Sequence, residues 1–143
     1  IILASEDIGN ADPAALTVAT SAAQALEWVG LPEAQYNLAQ AAIYLATAPK
    51  SNSTGAYFQA LADVEGDGVV EVPNHLKDAT RDGKALGHGE GYRYPHQYPE
   101  HFVRQQYLPD RLQGRKYYEP TDQGYELEIR KRMERRGKGE AAE

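Results

Sequence analysis

Three of the four histidines and four of the ten tyrosines fall in residues 87–109, which read GHGEGYRYPHQYPEHFVRQQYLP. Imidazoles can ligate metals or move protons, and phenol rings can stack on bases or bury against a partner while keeping a polar tip. The spacing of His88, His96 and His101 matches no usual zinc pattern, and there is no cysteine to complete one. A structural role suits these histidines better, because an imidazole in a packed loop satisfies backbone groups at both nitrogens. Gly87, Gly89 and Gly91 do not form a nucleotide loop. No strand pattern precedes them, and the lysine and hydroxyl of a phosphate-binding loop are missing.

Two further stretches carry patterned charge. Asp63-Val64-Glu65-Gly66-Asp67-Gly68 supplies the first half of a calcium loop, but Asn74 stands where a bidentate Glu is needed and Pro73 where the exiting helix should begin. It reads as an acidic turn. The basic tail Arg130-Lys131-Arg132, Arg135-Arg136 and Lys138 is interleaved with Glu126, Glu128 and Glu134. That pattern reads as a solvated helix face with i, i+4 pairs, a DNA-facing surface being the second reading. No nucleophile-elbow motif or paired-carboxylate signature is present, so no catalytic, cofactor-binding or metal residue is assigned.

The elements that must position these residues are helical. Asp12-Pro13 predicts a helix start, with Leu16, Ala19, Ala23 and Leu26 following and Gly30 closing it in the left-handed conformation. Pro32 is expected to open a second helix carrying Leu38, Ala42, Leu45 and Ala46, which Pro49 stops. A two-residue connection would make the pair antiparallel neighbours. Asn52 or Ser53 could cap a third helix over 54–64, with Tyr57, Leu61 and Val64 on one face. These alanine-rich faces fit a tight three-helix core, or contact with another subunit.

Residues 69–73 read as a short extended piece, 75–82 as one or two helical turns, and 83–109 as an irregular but ordered segment. A last helix is expected from near Thr121, with Tyr125, Ile129 and Met133 at i, i+4 and i+8; residues 137–143 read as a frayed tail. At 143 residues the chain fits a single domain. The net charge of −6 is unevenly spread: residues 1–64 hold Lys50 alone against six acidic residues, whereas ten of the fifteen Lys and Arg lie from Arg104 onward. Only the tail is therefore expected to attract phosphate backbones. With neither a long apolar run nor a secretory leader in view, a soluble cytoplasmic protein without membrane contact is expected. Ile1-Ile2-Leu3-Ala4 runs directly into Ser5-Glu6-Asp7, which reads as a helix entered part-way and the chain as a fragment of a longer protein.

Four phrases occur in order: ASEDIGNADP at 4–13, LAQAAIYLATAPKSN at 38–52, the tyrosine-rich segment at 87–109, and KYYEPTDQGYE at 116–126. Together they resemble the carboxy-terminal region of the RarA/MgsA family, clamp-loader-like AAA+ ATPases related to Werner helicase-interacting protein. The resemblance implies an all-α helical bundle like the oligomerisation collar that follows the AAA+ module, carrying a long ordered Tyr/Gly/His-rich loop. It further implies self-association as a homotetramer, in a protein of DNA replication, recombination and repair acting at stalled forks and nucleoid-associated if bacterial. ATP and Mg would bind elsewhere in the parent protein, with no cofactor and no enzymatic activity in this fragment. DNA forks and single-stranded DNA-binding protein would be partners of the full-length protein.

Seven of the ten tyrosines lie between Tyr92 and Tyr125. Incompletely buried tyrosine with a polar partner suits subunit interfaces, and the same rings can pin a loop onto helices. The candidate loop anchors or interface residues are Tyr92, Tyr94, His96, Tyr98, Tyr107, Tyr117 and Tyr118. The alternative function is a monomeric adaptor that binds a peptide or single-stranded nucleic acid through this loop.

Overall fold

Alanine loses no side-chain entropy in a helix and lets neighbouring backbones approach closely, and it dominates the first half of the chain. In the computed structural model, which describes residues 1–66, 68 and 71–138, every regular element is helical. The all-α expectation holds. The main helices are α1 (Ala14–Val29), α2 (Gln35–Thr47), α3 (Ala56–Glu65) and α4 (Glu126–Lys138), joined by short 3-10 turns and preceded by a π-helical turn at Ala4–Ile8. No described helix is long and apolar enough to cross a membrane.

Packing divides the chain into two compact units: residues 1–58 with 117 onward, and residues 59–116, the boundary falling inside α3. In the first unit, α1 starts where Asp12 Oδ1 accepts the amide of Ala14 at 3.1 Å, as the Asp-Pro pair predicts. Ala15, Ala19 and Ala22 form its buried face, at the i, i+4, i+7 spacing of a single stripe. Ala4, Ile8, Ala15 and Ala19 make the core, with Tyr44, Leu45 and Ala48 packed against it. The hydroxyl of Tyr44, near the end of α2, donates to Asp12 Oδ2 at 2.6 Å at the start of α1. The two helices are therefore an antiparallel hairpin.

Several boundaries differ from expectation, each for a local reason. Gly30 closes α1 with its amide on Leu26 O and a positive φ of 76°, but ψ of 178° is extended, not left-handed helical. The amides of Ala34, Gln35 and Tyr36 are taken by the carbonyls of Gly30, Pro32 and Glu33, a tight turn that delays α2 to Gln35 and makes the connection five residues. The Leu31–Pro32 bond is cis. At the other end Ala48 is extended before Pro49, as Pro49 demands, and Lys50 Nζ donates to Leu45 O and Ala46 O at 2.9 and 3.3 Å. This ammonium caps the carbonyl end of α2.

The third and fourth helices begin later than the sequence suggests. Ser53–Gly55 is a 3-10 turn with no side-chain cap, and α3 proper starts at Ala56. Residues 122–125 are bends and turns, so α4 starts at Glu126 and not near Thr121. Ser53 Oγ donates to Glu126 from within the 3-10 turn, and Thr121 Oγ1 donates to Glu126 while accepting the amide of Gln123 at 3.2 Å, a local turn ahead of α4. Gly137 and Lys138 close α4, while the rest of the expected frayed tail, 139–143, lies outside the described residues, as do Asp67 of the acidic turn and Val69 and Val70 of the expected extended piece.

The second unit is built from loops and 3-10 turns at Asn74–Leu76, Arg81–Leu86, Pro95–Gln97, Pro99–His101 and Asp110–Leu112. Val103 and Leu112 are its buried apolar residues. Polar ties hold the rest. Gly89 N donates to Asn74 O at 2.9 Å, His75 Nε2 to Gln106 O at 2.7 Å, and His88 Nδ1 to Asp78 O at 3.3 Å. Arg111 donates to Asp63 O at 3.0 Å, and Arg115 Nε lies 3.8 Å from the Asp63 carboxylate. Asp63 thus anchors arginines of its own unit.

Gly124, with φ of 50°, marks the tightest approach in the first unit: a Cβ there would overlap the carbonyl oxygen of Ala11 and meet Pro49 Cγ at 2.7 Å. Both the backbone conformation and the space require glycine. Gly124→Ala is expected to lower unfolding free energy by at least about 2 kcal/mol in urea titration. A variant as stable as the parent would contradict this packing.

Candidate association surface

Glu126 is completely buried, which for a carboxylate demands a full set of donors. It has them. Ser51 Oγ donates to Oε2 at 2.8 Å, Ser53 Oγ to Oε1, Thr121 N and Oγ1 to Oε2 at 2.8 and 2.7 Å, and Tyr118 OH to Oε1 at 3.2 Å. Burial by itself would raise the pKa of this group. The hydrogen bonds from Ser53, from the hydroxyl and amide of Thr121, and from Ser51 outweigh it, and the pKa falls from 4.5 to about 2. Burial first, and then the adjacent Glu126 charge, push the Tyr118 hydroxyl above its usual value.

Backbone contacts extend the cluster. Ser51 N donates to Asp7 O and Tyr125 N to Ala11 O, both at 2.8 Å, and Thr54 Oγ1 reaches Ser5 O at 2.8 Å. Two of the four phrases singled out in the sequence, at 38–52 and 116–126, thus meet at one carboxylate, and the phrase at 4–13 is tied to both by these backbone bonds. The side chains of Ser51, Ser53, Tyr118 and Thr121 are all tied to the carboxylate by hydrogen bonds, which makes the cluster a fixed frame.

Around that frame the first unit leaves large apolar side chains in solvent. Trp28 is 79% exposed, Tyr36 85%, Ile43 66% and Phe58 71%, with Val29, Leu31 and Tyr57 also exposed. Tyr57 and Phe58 lie edge to face, centroids 5.4 Å apart. Single exposed apolar residues are ordinary; so many on one small unit make the first unit the candidate association surface.

The tyrosine-rich segment of the second unit is ordered by its own polar contacts. Arg93 and Gln105 pair reciprocally, Arg93 N donating to Oε1 at 3.1 Å and Nε2 returning to Arg93 O at 2.9 Å. The Arg93 guanidinium lies 4.8 Å over the Tyr98 ring, with Nε 3.2 Å from its hydroxyl. Gln105 Nε2 also donates to Tyr107 OH at 3.1 Å. Tyr94, His96 and His101 form a run of rings at 5.1 and 5.0 Å centroid separations. Of the sequence-expected anchors, Tyr98 is half-buried, whereas Tyr92, Tyr94, His96 and Tyr107 are exposed. Tyr117 and Tyr118 belong to the first unit and are half-buried, Tyr118 on Glu126.

A family model described as MgsA AAA+ ATPase C terminal matches residues 1–136. The chain belongs to this family. It is similar, at 50% identity over 137 residues, to an AAA domain-containing protein of Mycobacterium tuberculosis, with 94% of this chain and 30% of the relative covered. It is 47% identical over 126 residues to replication-associated recombination protein A of Bacillus subtilis, covering 87% of this chain and 30% of the relative. To ATPase WRNIP1 of Dictyostelium discoideum it is 40% identical over 120 residues, 82% of this chain and 14% of the relative. The family resemblance carried by the four phrases is therefore borne out. An MgsA C-terminal domain is what this chain represents, and it spans no more than 30% of the length of these relatives.

Sequence reading missed the residues that organise the MgsA domain: Ser51, Ser53, Thr121 and Glu126. A signal was available, since Ser51, Thr121 and Glu126 are polar residues inside the matching phrases and Ser53 directly follows one of them. Glu126 is ionised at neutral pH and its pKa is lower folded than unfolded. Its contribution, about 3 kcal/mol, is accordingly complete above the unfolded value and is lost as pH falls from 4.5 toward 2. Glu126→Gln, which puts an amide donor among hydroxyl and amide donors, is expected to cost about 2–3 kcal/mol at pH 7 and to flatten the stability profile below pH 5. Urea titrations across pH check both; equal acid slopes for variant and parent would contradict the assignment.

Proposed function

We propose that this domain is the self-association module of an AAA+ ATPase of replication-associated recombination, and that it holds the ATPase subunits together as a homotetramer. The observation that carries the reading is the exposed aromatic and aliphatic surface of the first unit, led by Trp28, Tyr36, Ile43 and Phe58. Surfaces of this kind are stabilised by burial against a partner, at roughly 25 cal/mol for each Å² of apolar area removed from water. The names of the relatives, replication-associated recombination protein A and ATPase WRNIP1, support placing the parent protein at DNA. In that reading ATP and Mg are bound by another part of the parent, and this domain neither binds nor hydrolyses ATP. Its sequence has no phosphate-binding loop. The assembled parent would act at stalled forks, with DNA and single-stranded DNA-binding protein as its partners.

A specific observation favours a second reading. The exposed Tyr94, His96 and His101 rings present a stacking surface that a peptide or single-stranded nucleic acid could use in a monomeric adaptor.

Sedimentation equilibrium separates the two. The chain is expected to sediment as a discrete species of four times its own mass at micromolar concentration, with more than about 1,000 Å² buried per interface. A monomer whose mass does not change with concentration sinks the association reading and leaves the adaptor. In urea titration Tyr94→Ala, removing a half-exposed ring, should change the stability of the chain by less than about 1 kcal/mol. A large loss would place that ring in the core of the folded unit.

A further inference from the structure

Helix α4 leaves the Glu126 cluster, and each of residues 131–137 is exposed. At 100° per residue, Tyr125, Ile129, Arg132, Met133 and Arg136 share one stripe. Arg132 lies over the Tyr125 ring at 5.3 Å and donates to its hydroxyl at 2.8 Å, which arranges the stripe as mixed apolar and cationic surface. Tyr125 and Met133 are each 45% exposed.

A matching surface exists at the far end of the same unit. The hairpin tip joining α1 to α2 carries exposed Trp28, Leu31 and Tyr36, with Glu27 and Glu33 exposed among them. No basic residue precedes Lys50 in the chain, so the charged residues of the tip are all acidic. Helix α4 is net basic, with six Lys and Arg against three Glu. The Glu126 cluster sits where α1 begins and α2 ends, fixed by the Tyr125 N to Ala11 O bond and by Ser51. Sixteen residues of α1 put the tip about 24 Å from that point. Two complementary surfaces at opposite ends of one unit, with the helix exposed in its own chain, are suited to contact between successive copies.

We infer that the basic, apolar stripe of α4 in one copy docks on the acidic, aromatic α1–α2 tip of the next copy. The contact is heterologous, head to tail, and closes into a ring when the rotation between copies allows it. Guanidinium groups over Trp28 and Tyr36, with Glu27 and Glu33 beside them, supply cation–π and ionic contacts at the rim of the buried apolar area. This inference rests on the self-association reading and names the surfaces that reading uses.

Charge reversal on each side tests it with the complete chain. Glu27→Arg/Glu33→Arg and Arg132→Glu/Arg136→Glu, all at exposed positions, are each expected to weaken association at least tenfold by sedimentation. Circular dichroism should show the helix content unchanged. Mixing the two variants in equal amounts should restore assembly, because alternating copies then pair opposite charges at every contact. The single tryptophan, Trp28, should shift its emission to shorter wavelength only when assembly occurs. Variants that assemble like the parent, or a mixture that fails to recover, overturn the head-to-tail contact while leaving self-association standing. An α4 variant that assembles normally but loses binding to a fluorescent oligothymidine overturns it in favour of a nucleic-acid role for the helix. A monomeric parent chain sinks the association reading itself and this contact with it.

Discussion

The structure of the first unit depends on one ionised carboxylate placed out of reach of water. Burying Glu126 would be costly were its charge not met by Ser51, Ser53, Thr121 and Tyr118, and those donors come from segments far apart in the chain. The carboxylate therefore acts as a register device: it is satisfied only when the residues after α2 and the residues before α4 arrive together. Gly124 then closes the gap, and its lack of a side chain lets the chain pass against Ala11 and Pro49. A fully satisfied polar cluster of this kind fixes a single arrangement more strictly than apolar packing, which tolerates sliding.

That fixed arrangement explains how so small a core can hold the domain. The buried apolar residues are mostly alanines, with Ile8 and Val103 the large fully buried ones, so the hydrophobic contribution of the core is modest. The large apolar side chains, Trp28, Tyr36, Ile43 and Phe58, are instead outside. The first unit thus keeps alanines in its interior and large apolar side chains on its surface.

Much of the helical framework was legible in the sequence, and for physical reasons. Asp12-Pro13 and Pro49 act locally, within a turn or two of the backbone they control, whereas the buried face of α1 differs from the expected one: Ala15, Ala19 and Ala22 are buried, and Leu16 and Leu26 are exposed. The starts of α3 and α4 were not legible, because Ser53 lies in a 3-10 turn and Thr121 in a local turn onto Gln123 N, each held there by a long-range or non-helical bond to Glu126. The same holds for the tyrosines. Their density marked 87–109 as ordered, and Arg93 with Gln105 supplies that order, yet the period-free segment gave no means to tell which rings face solvent. The carboxylate itself escaped notice because Glu126 sits in a charged run, where a solvated side chain is the ordinary outcome.

Carbon-13 NMR titration of the Glu126 side-chain carboxyl tests the central claim most directly. The account predicts a midpoint near 2, coinciding with loss of the amide protection of Thr121 and Tyr125. A midpoint at or above 4.5, the value of an ordinary glutamate, would show that the carboxylate is neither held by those donors nor the tie between these segments.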